Sequence, residues 1–129
     1  MKPTLIKAIG YRGDVMNLPV ADVDAAVPFY TTVLGFREHA RVGSPRRAVV
    51  LERDDKHMRL VENGGDPTQD GCAFHVTGLQ QLFDEFQAHG LNNPPGAFSC
   101  EQRGGATFQV FYVVAPDGLC YWFGERQGD

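Results

Sequence analysis

Four histidines and a scatter of carboxylates are the side chains of this chain best placed to do chemistry near neutral pH. A metal centre would need at least three converging N or O donors, with a position left open for substrate. His57 and His75 both sit on the polar side of strand-like alternations, and Glu52 or Glu62 would approach them if the strand edges were irregular. The plainer assignment makes His57 a hairpin-edge residue and His75 a pocket-lining one. His39 and His89 fall near element ends, where an exposed histidine needs no function; His89, in a last helical turn, also suits the helix dipole. Other catalytic patterns are thin. There is no Gly-x-Ser-x-Gly elbow and no Walker loop, and Gly104-Gly105 reads as a flexible turn. Cys120 reads as a small hydrophobe rather than a thiolate nucleophile. His75 is the best general base by default. No catalytic residue is assigned, and neither a metal nor another cofactor is expected.

A second set of residues points to binding instead. Phe108, Tyr112 and Trp122 offer aromatic faces for stacking, and Asn17, His57, Arg59 and His75 offer polar groups for orientation. Apolar walls with a few polar groups are the composition of a small-molecule pocket. The competing assignment has these aromatics packed on one another in a closed cup.

The elements that would position these side chains follow from periodicity. Leu18 and Val20 alternate with Asn17, Pro19 and Ala21, as a half-buried strand requires. Asp22 or Asp24 can cap a helix whose stripe is Ala26, Val27, Phe29, Tyr30, Val33 and Leu34. Gly35 can take the left-handed position that ends it. Pro28 is benign in that helix if Asp24 caps and lies deeper if Asp22 does. The spacing predicts strands over residues 15–20, 36–42, 48–53 and 57–62, with Asp54-Asp55-Lys56 as a tight hairpin between the last two. Asn63-Gly64-Gly65-Asp66-Pro67 breaks the chain. After it, a strand at 72–76, a helix striped by Leu79, Leu82, Phe83 and Phe86, and strands at 108–114 and 119–124 repeat the plan; residues 97–104 resist assignment.

A slide of about 56 residues overlays strand, helix and glycine of the two halves. Each half reads as a βαβββ unit, module one about 11–63 and module two about 71–127, joined by a linker at 64–70 within a single domain. The fold class is therefore α+β, with the two sheets forming a concave cup and the helices outside. Leu18, Val20, Met58, Leu60, Phe74, Val76, Tyr121 and Phe123 should face the helices as core. Val15, Asn17, Pro19, His57, Arg59, Val61, Ala73, His75, Cys120 and Trp122 should face the cup, as should Phe108, Val110 and Tyr112.

Asp22-Val23, Phe29-Tyr30 and Leu34-Gly35-Phe36, in that order and spacing, resemble the signature of the vicinal oxygen chelate superfamily, which includes glyoxalases, extradiol dioxygenases, fosfomycin-resistance enzymes and bleomycin-resistance proteins. Ala115-Pro116-Asp117-Gly118 stands where that family has Asp-Pro-Asp-Gly, and the resemblance runs over residues 12–126. It implies a fold rather than a single chemistry. Members that do chemistry hold a divalent metal in the cup, and comparison puts the four ligand positions at Val15, Arg59, Gly71 and Trp122. None of these side chains offers a lone pair to a cation. The closest resemblance is to the bleomycin-resistance subgroup, through Val49-Val50 to Asp54-Asp55, Val76-x-Gly78-Leu79-x-x-Leu82 and Leu119-Cys120-Tyr121-Trp122-Phe123. That subgroup implies a metal-free homodimer that sequesters a small molecule, antibiotics included, in crevices between subunits. The alternative is a metal-dependent lyase or dioxygenase of the glyoxalase type.

Bulk properties agree with an ordered globular protein. Of 129 residues, 43% are hydrophobic and 22% charged, enough for one domain with a real core. No apolar run approaches the roughly 18 residues that span a bilayer, so no membrane association is expected. The first ten residues lack the apolar core of a signal peptide. Cys72, Cys100 and Cys120 have no metal-type spacing and read as free thiols of a reducing cytoplasm. A net charge of −4, with no basic stripe, argues against nucleic acid.

Overall fold

The computed structural model describes residues 2–92 and 97–128. It is an α+β fold of two helices and nine strands among the described residues, arranged in two open sheets. The first sheet contains β2 (Leu18–Pro19), β3 (Arg37–Val42), β4 (Ala48–Arg53) and β5 (Lys56–Val61) in the order β2-β5-β4-β3. The second contains β1 (Thr4–Gly10), β6 (Gly71–Thr77), β7 (Ser99–Arg103), β8 (Ala106–Val114) and β9 (Cys120–Gln127) in the order β1-β6-β9-β8-β7. Setting β1 aside, the two orders are the same. β2 runs parallel to β5 as β6 does to β9, and the other pairings are antiparallel. β1, at the start of the chain, runs antiparallel to β6, so it belongs to the sheet of the second half.

Helix α1 (Val23–Thr32) is capped by Asp22, whose carboxylate accepts the N–H groups of Asp24 and Ala25. That choice of cap leaves Pro28 inside the helix. Gly35 then adopts φ +72°, the left-handed turn that frees the chain to enter β3. Helix α2 (Leu79–Ala88) occupies the equivalent place in the second half. Glu125 on β9 accepts the backbone N–H groups of Gly78 and Leu79 there, supplying the cap that Gly78 cannot.

β2 is much shorter than the alternation at 15–20 predicts. The Asp14 carboxylate accepts the Met16 N–H and its carbonyl accepts the Asn17 N–H, so the chain coils through a side-chain-closed turn before it can pair. The hairpin between β4 and β5 turns on Asp54 and Asp55 at φ +52° and +66°, the two positive values that a two-residue turn matching sheet twist demands.

One cluster forms the core, and it unites the helix-facing sides of both sheets. Leu18, Val20, Met58, Leu60, Phe74, Val76, Tyr121 and Phe123 all lie in it, with Tyr30 from α1 and Phe86 from α2. Contacts among side chains of both units tie the halves together. The Tyr30 hydroxyl lies 2.7 Å from that of Tyr121 and donates to Asp117 at 2.7 Å. The Phe36 and Phe74 rings are 5.8 Å apart. Arg53, at the end of β4, donates to Glu85 on α2 at 2.6 and 3.1 Å and to the Leu34 carbonyl at 2.7 Å. The opposite faces of both sheets point away from this shared core.

Candidate functional site

On the outward face of the second sheet, Ala73, Phe108, Val110 and Trp122 make a separate buried cluster. Strand register explains it. Ala73 pairs with Trp122, Trp122 with Tyr112, and His75 with Gly124, so Ala73 and Gly124 leave room for the indole beside them. The indole lies across the Gly124 backbone so closely that a Cβ there would meet its ring carbon at 2.2 Å. Phe108 and His75 close its edges, with ring centroids 5.4 and 5.0 Å away. The guanidinium of Arg103 covers the ring at 4.4 Å, a cation–π contact. Trp122 is consequently fully buried within one chain, and its Nε1–H donates to Glu101 at 3.0 Å.

Glu101 also accepts from the Tyr112 hydroxyl, the main reason its carboxyl is held below the usual range. Burial, aided by the charges of Lys7 and Arg103, lowers the pKa of His75 and so favours its neutral ring. Glu101 and Arg103 come from β7, which sequence reasoning could not assign. Every residue of that strand is polar or small and four of the five are exposed, so no alternation exists to read.

Beside this cluster the same face is open. Ile9, Tyr11, Tyr112 and Val114 are between 42% and 68% exposed, an apolar stripe with half-buried Cys120 among them. Cys72 is on the core side, and burial pushes its thiol up to about 12, which removes it as a nucleophile.

Asn17, Arg59 and His57 belong to the first sheet. Asn17 accepts from the Asn63 side chain at 3.0 Å, and Arg59 Nε donates to the Met16 carbonyl at 2.6 Å. Both line a cleft of about 420 Å³ with Val42, Arg46, Val61 and Asn63, all from the first half of the chain. His57 stands further along β5, at the hairpin end, 3.3 Å from a Glu52 carboxylate oxygen. The predicted site residues therefore assemble as two groups. His75, Phe108, Tyr112 and Trp122 form one on the second sheet; Asn17, His57 and Arg59 lie along the outward face of the first.

The four positions that the sequence resemblance implies as metal ligands do not fit a metal here. The Arg59 guanidinium is a cation, and the Trp122 indole donates its only polar hydrogen to Glu101. Val15 has no donor atom. Gly71 has no room to acquire one, because a Cβ there would lie 1.8 Å from the Cys120 carbonyl oxygen.

A family model of the glyoxalase/bleomycin resistance protein/dioxygenase superfamily matches residues 12–118. The chain belongs to that superfamily. Among solved structures, a bleomycin resistance determinant encoded on the transposon Tn5 is 23% identical at a TM-score of 0.65, covering 88% of this chain and 96% of that one. A bleomycin-binding protein complexed with bleomycin is 24% identical at 0.64, covering 88% and 97%. A fosfomycin resistance protein from Listeria monocytogenes, complexed with Mn(II) and a dihydroxypropylphosphonic acid, is 14% identical at 0.57, covering 84% and 87%. At these identities the likeness speaks to the fold. No curated protein matches the chain. Within the superfamily this member shows the same strand order in both of its sheets once β1 is set aside.

Proposed function

We propose that this superfamily member binds a flat or aromatic small molecule, in the manner of the bleomycin-binding relatives, without a metal at the inherited position. The observation that carries the reading is the pairing of donor-free positions Val15, Arg59, Gly71 and Trp122 with the exposed stripe of Ile9, Tyr11, Tyr112 and Val114. Isolated apolar side chains on a surface mean little, but a contiguous set on one sheet face beside a polar rim is a docking feature. The reading includes a homodimer. The orienting groups Asn17, His57 and Arg59 and the aromatic group His75, Phe108, Tyr112 and Trp122 occupy separate sheets, so a second copy can bring one set opposite the other. Glu101 and Arg103 then join the site, since the guanidinium lying on Trp122 is the group a ligand ring would displace. Antibiotics of the bleomycin kind are the first class to try.

Titration calorimetry of chelator-treated protein against bleomycin and a panel of planar drugs tests this. Saturable binding at micromolar concentration or tighter, lost in Tyr112→Ala and Arg59→Ala variants, is the expected result. Silence across the panel together with metal-dependent turnover of a glyoxalase or dioxygenase substrate would replace the reading with an enzyme of that type. The observation favouring that second reading is the group of His39, Glu52 and His57 on the first sheet, whose potential ligand atoms lie within 4.8 Å of one another.

A further inference from the structure

We propose that His39, Glu52 and His57 form a divalent-metal site of the two-histidine, one-carboxylate kind, distinct from the inherited positions and independent of the small-molecule reading. The three residues come from β3, β4 and β5, and strand register brings them together. Glu52 pairs directly with His57 on one side and with Arg37 on the other. Regular alternation from Arg37 would turn His39 to the same face but carry it past Glu52. The register shift between Glu38 and Ala40 inserts an extra residue there, and His39 is that residue. Its ring stands edge-on to that of His57, with centroids 4.9 Å apart. His39 Nδ1 lies 3.7 Å from one Glu52 oxygen, and His57 Nε2 lies 3.3 Å from the other. All three donor atoms fall within 4.8 Å of one another.

Zinc–ligand bonds of about 2.0–2.1 Å put neighbouring donors of a tetrahedral ion about 3.3 Å apart. Each imidazole already has one of the two Glu52 oxygens near that distance, and with one donor atom per residue the set lies within 4.8 Å, so rotation of the side chains closes the site. The two histidine side chains are 47% and 38% exposed, free to make them, whereas Glu52 is 13% exposed and anchored. Imidazole nitrogens with one carboxylate suit zinc, nickel and copper rather than calcium or magnesium. Three protein donors leave a fourth position open to solvent or to an oxygen of a bound molecule. Arg37 is the competitor, since it pairs with the same carboxylate.

Competition with a chromophoric chelator, using Zn(II) and Ni(II) alone on the intact chain, tests the proposal without any small-molecule ligand. One ion per chain is expected, with affinity falling at least tenfold in each of His39→Ala, His57→Ala and Glu52→Gln and unchanged in His89→Ala. Arg37→Ala should tighten binding severalfold by freeing the carboxylate, which a chance pair of surface histidines would not show. Circular dichroism identical to the parent's establishes that the variants are folded. Absence of binding at about a hundred micromolar of either ion, or binding that survives His39→Ala/His57→Ala, overturns the site. Either result leaves the drug-binding test standing on its own outcome.

Discussion

Gly124 shows how a single residue can fix a functional surface. The indole of Trp122 rests on its backbone, and the nearest three ring carbons would lie 2.2 to 2.7 Å from a Cβ. The ring cannot slide away cheaply, because Phe108, His75 and Arg103 hold its other sides. Gly124→Ala should therefore cost about 1–3 kcal/mol, the range for overpacking a filled site. Urea denaturation would register it as a lower midpoint at unchanged slope. The orientation of such residues was legible beforehand, since strand alternation alone puts Trp122, Phe108 and His75 on one face and Tyr121 and Phe123 on the other. Their mutual packing was not. Alternation gives a side, and says nothing of whether aromatic neighbours close over one another or stay open to a ligand. His39 was misleading for a related reason: a bulge shifts a side chain by one position, and no residue type at 38–40 announces it.

Elements followed the sequence where local signals and hydrophobic period agreed. The helix at 23–32 has its cap, its stripe and its glycine stop, and the second helix at 79–88 repeats it with a carboxylate borrowed from β9. Three elements escaped. β1 lies ahead of the predicted start of module one, where polar and apolar residues are too mixed to read. β2 shrank because the Asp14 side chain offers Met16 a hydrogen bond that competes with sheet pairing. β7 was hidden because an edge strand with little buried surface carries no hydrophobic period at all. The cap of α1 makes a prediction at this scale. Asp22 accepts two backbone N–H groups that no other described residue's side chain accepts. Asp22→Ala should cost about 1 kcal/mol, the usual loss for an N-cap, while Asp22→Ser retains most of it. Thermal unfolding of the three proteins, followed by circular dichroism, ranks them directly.

At the scale of the whole molecule, the repeat decides what one chain can and cannot offer. Packing the helix sides of both units into a single core commits Tyr30, Phe74, Tyr121 and Phe123 to stability, and leaves two outward faces that differ in character. The face of the first sheet carries Asn17, Arg59 and His57; that of the second carries the aromatic cluster and the apolar stripe. If a ligand crevice joins the two faces across a homodimer, each crevice takes its polar wall from one chain and its aromatic wall from the other. A mixing experiment then separates this arrangement from a site contained in one chain. Arg59→Ala and Tyr112→Ala chains should each bind poorly as pure dimers. Refolded together, every mixed dimer would hold one crevice with both lesions and one with neither, so half of the sites in the mixed species should regain parental affinity. Calorimetry on the purified heterodimer reads this as a stoichiometry near one ligand per two chains. A site confined to one chain predicts no recovery, because each chain keeps its own lesion whatever its companion.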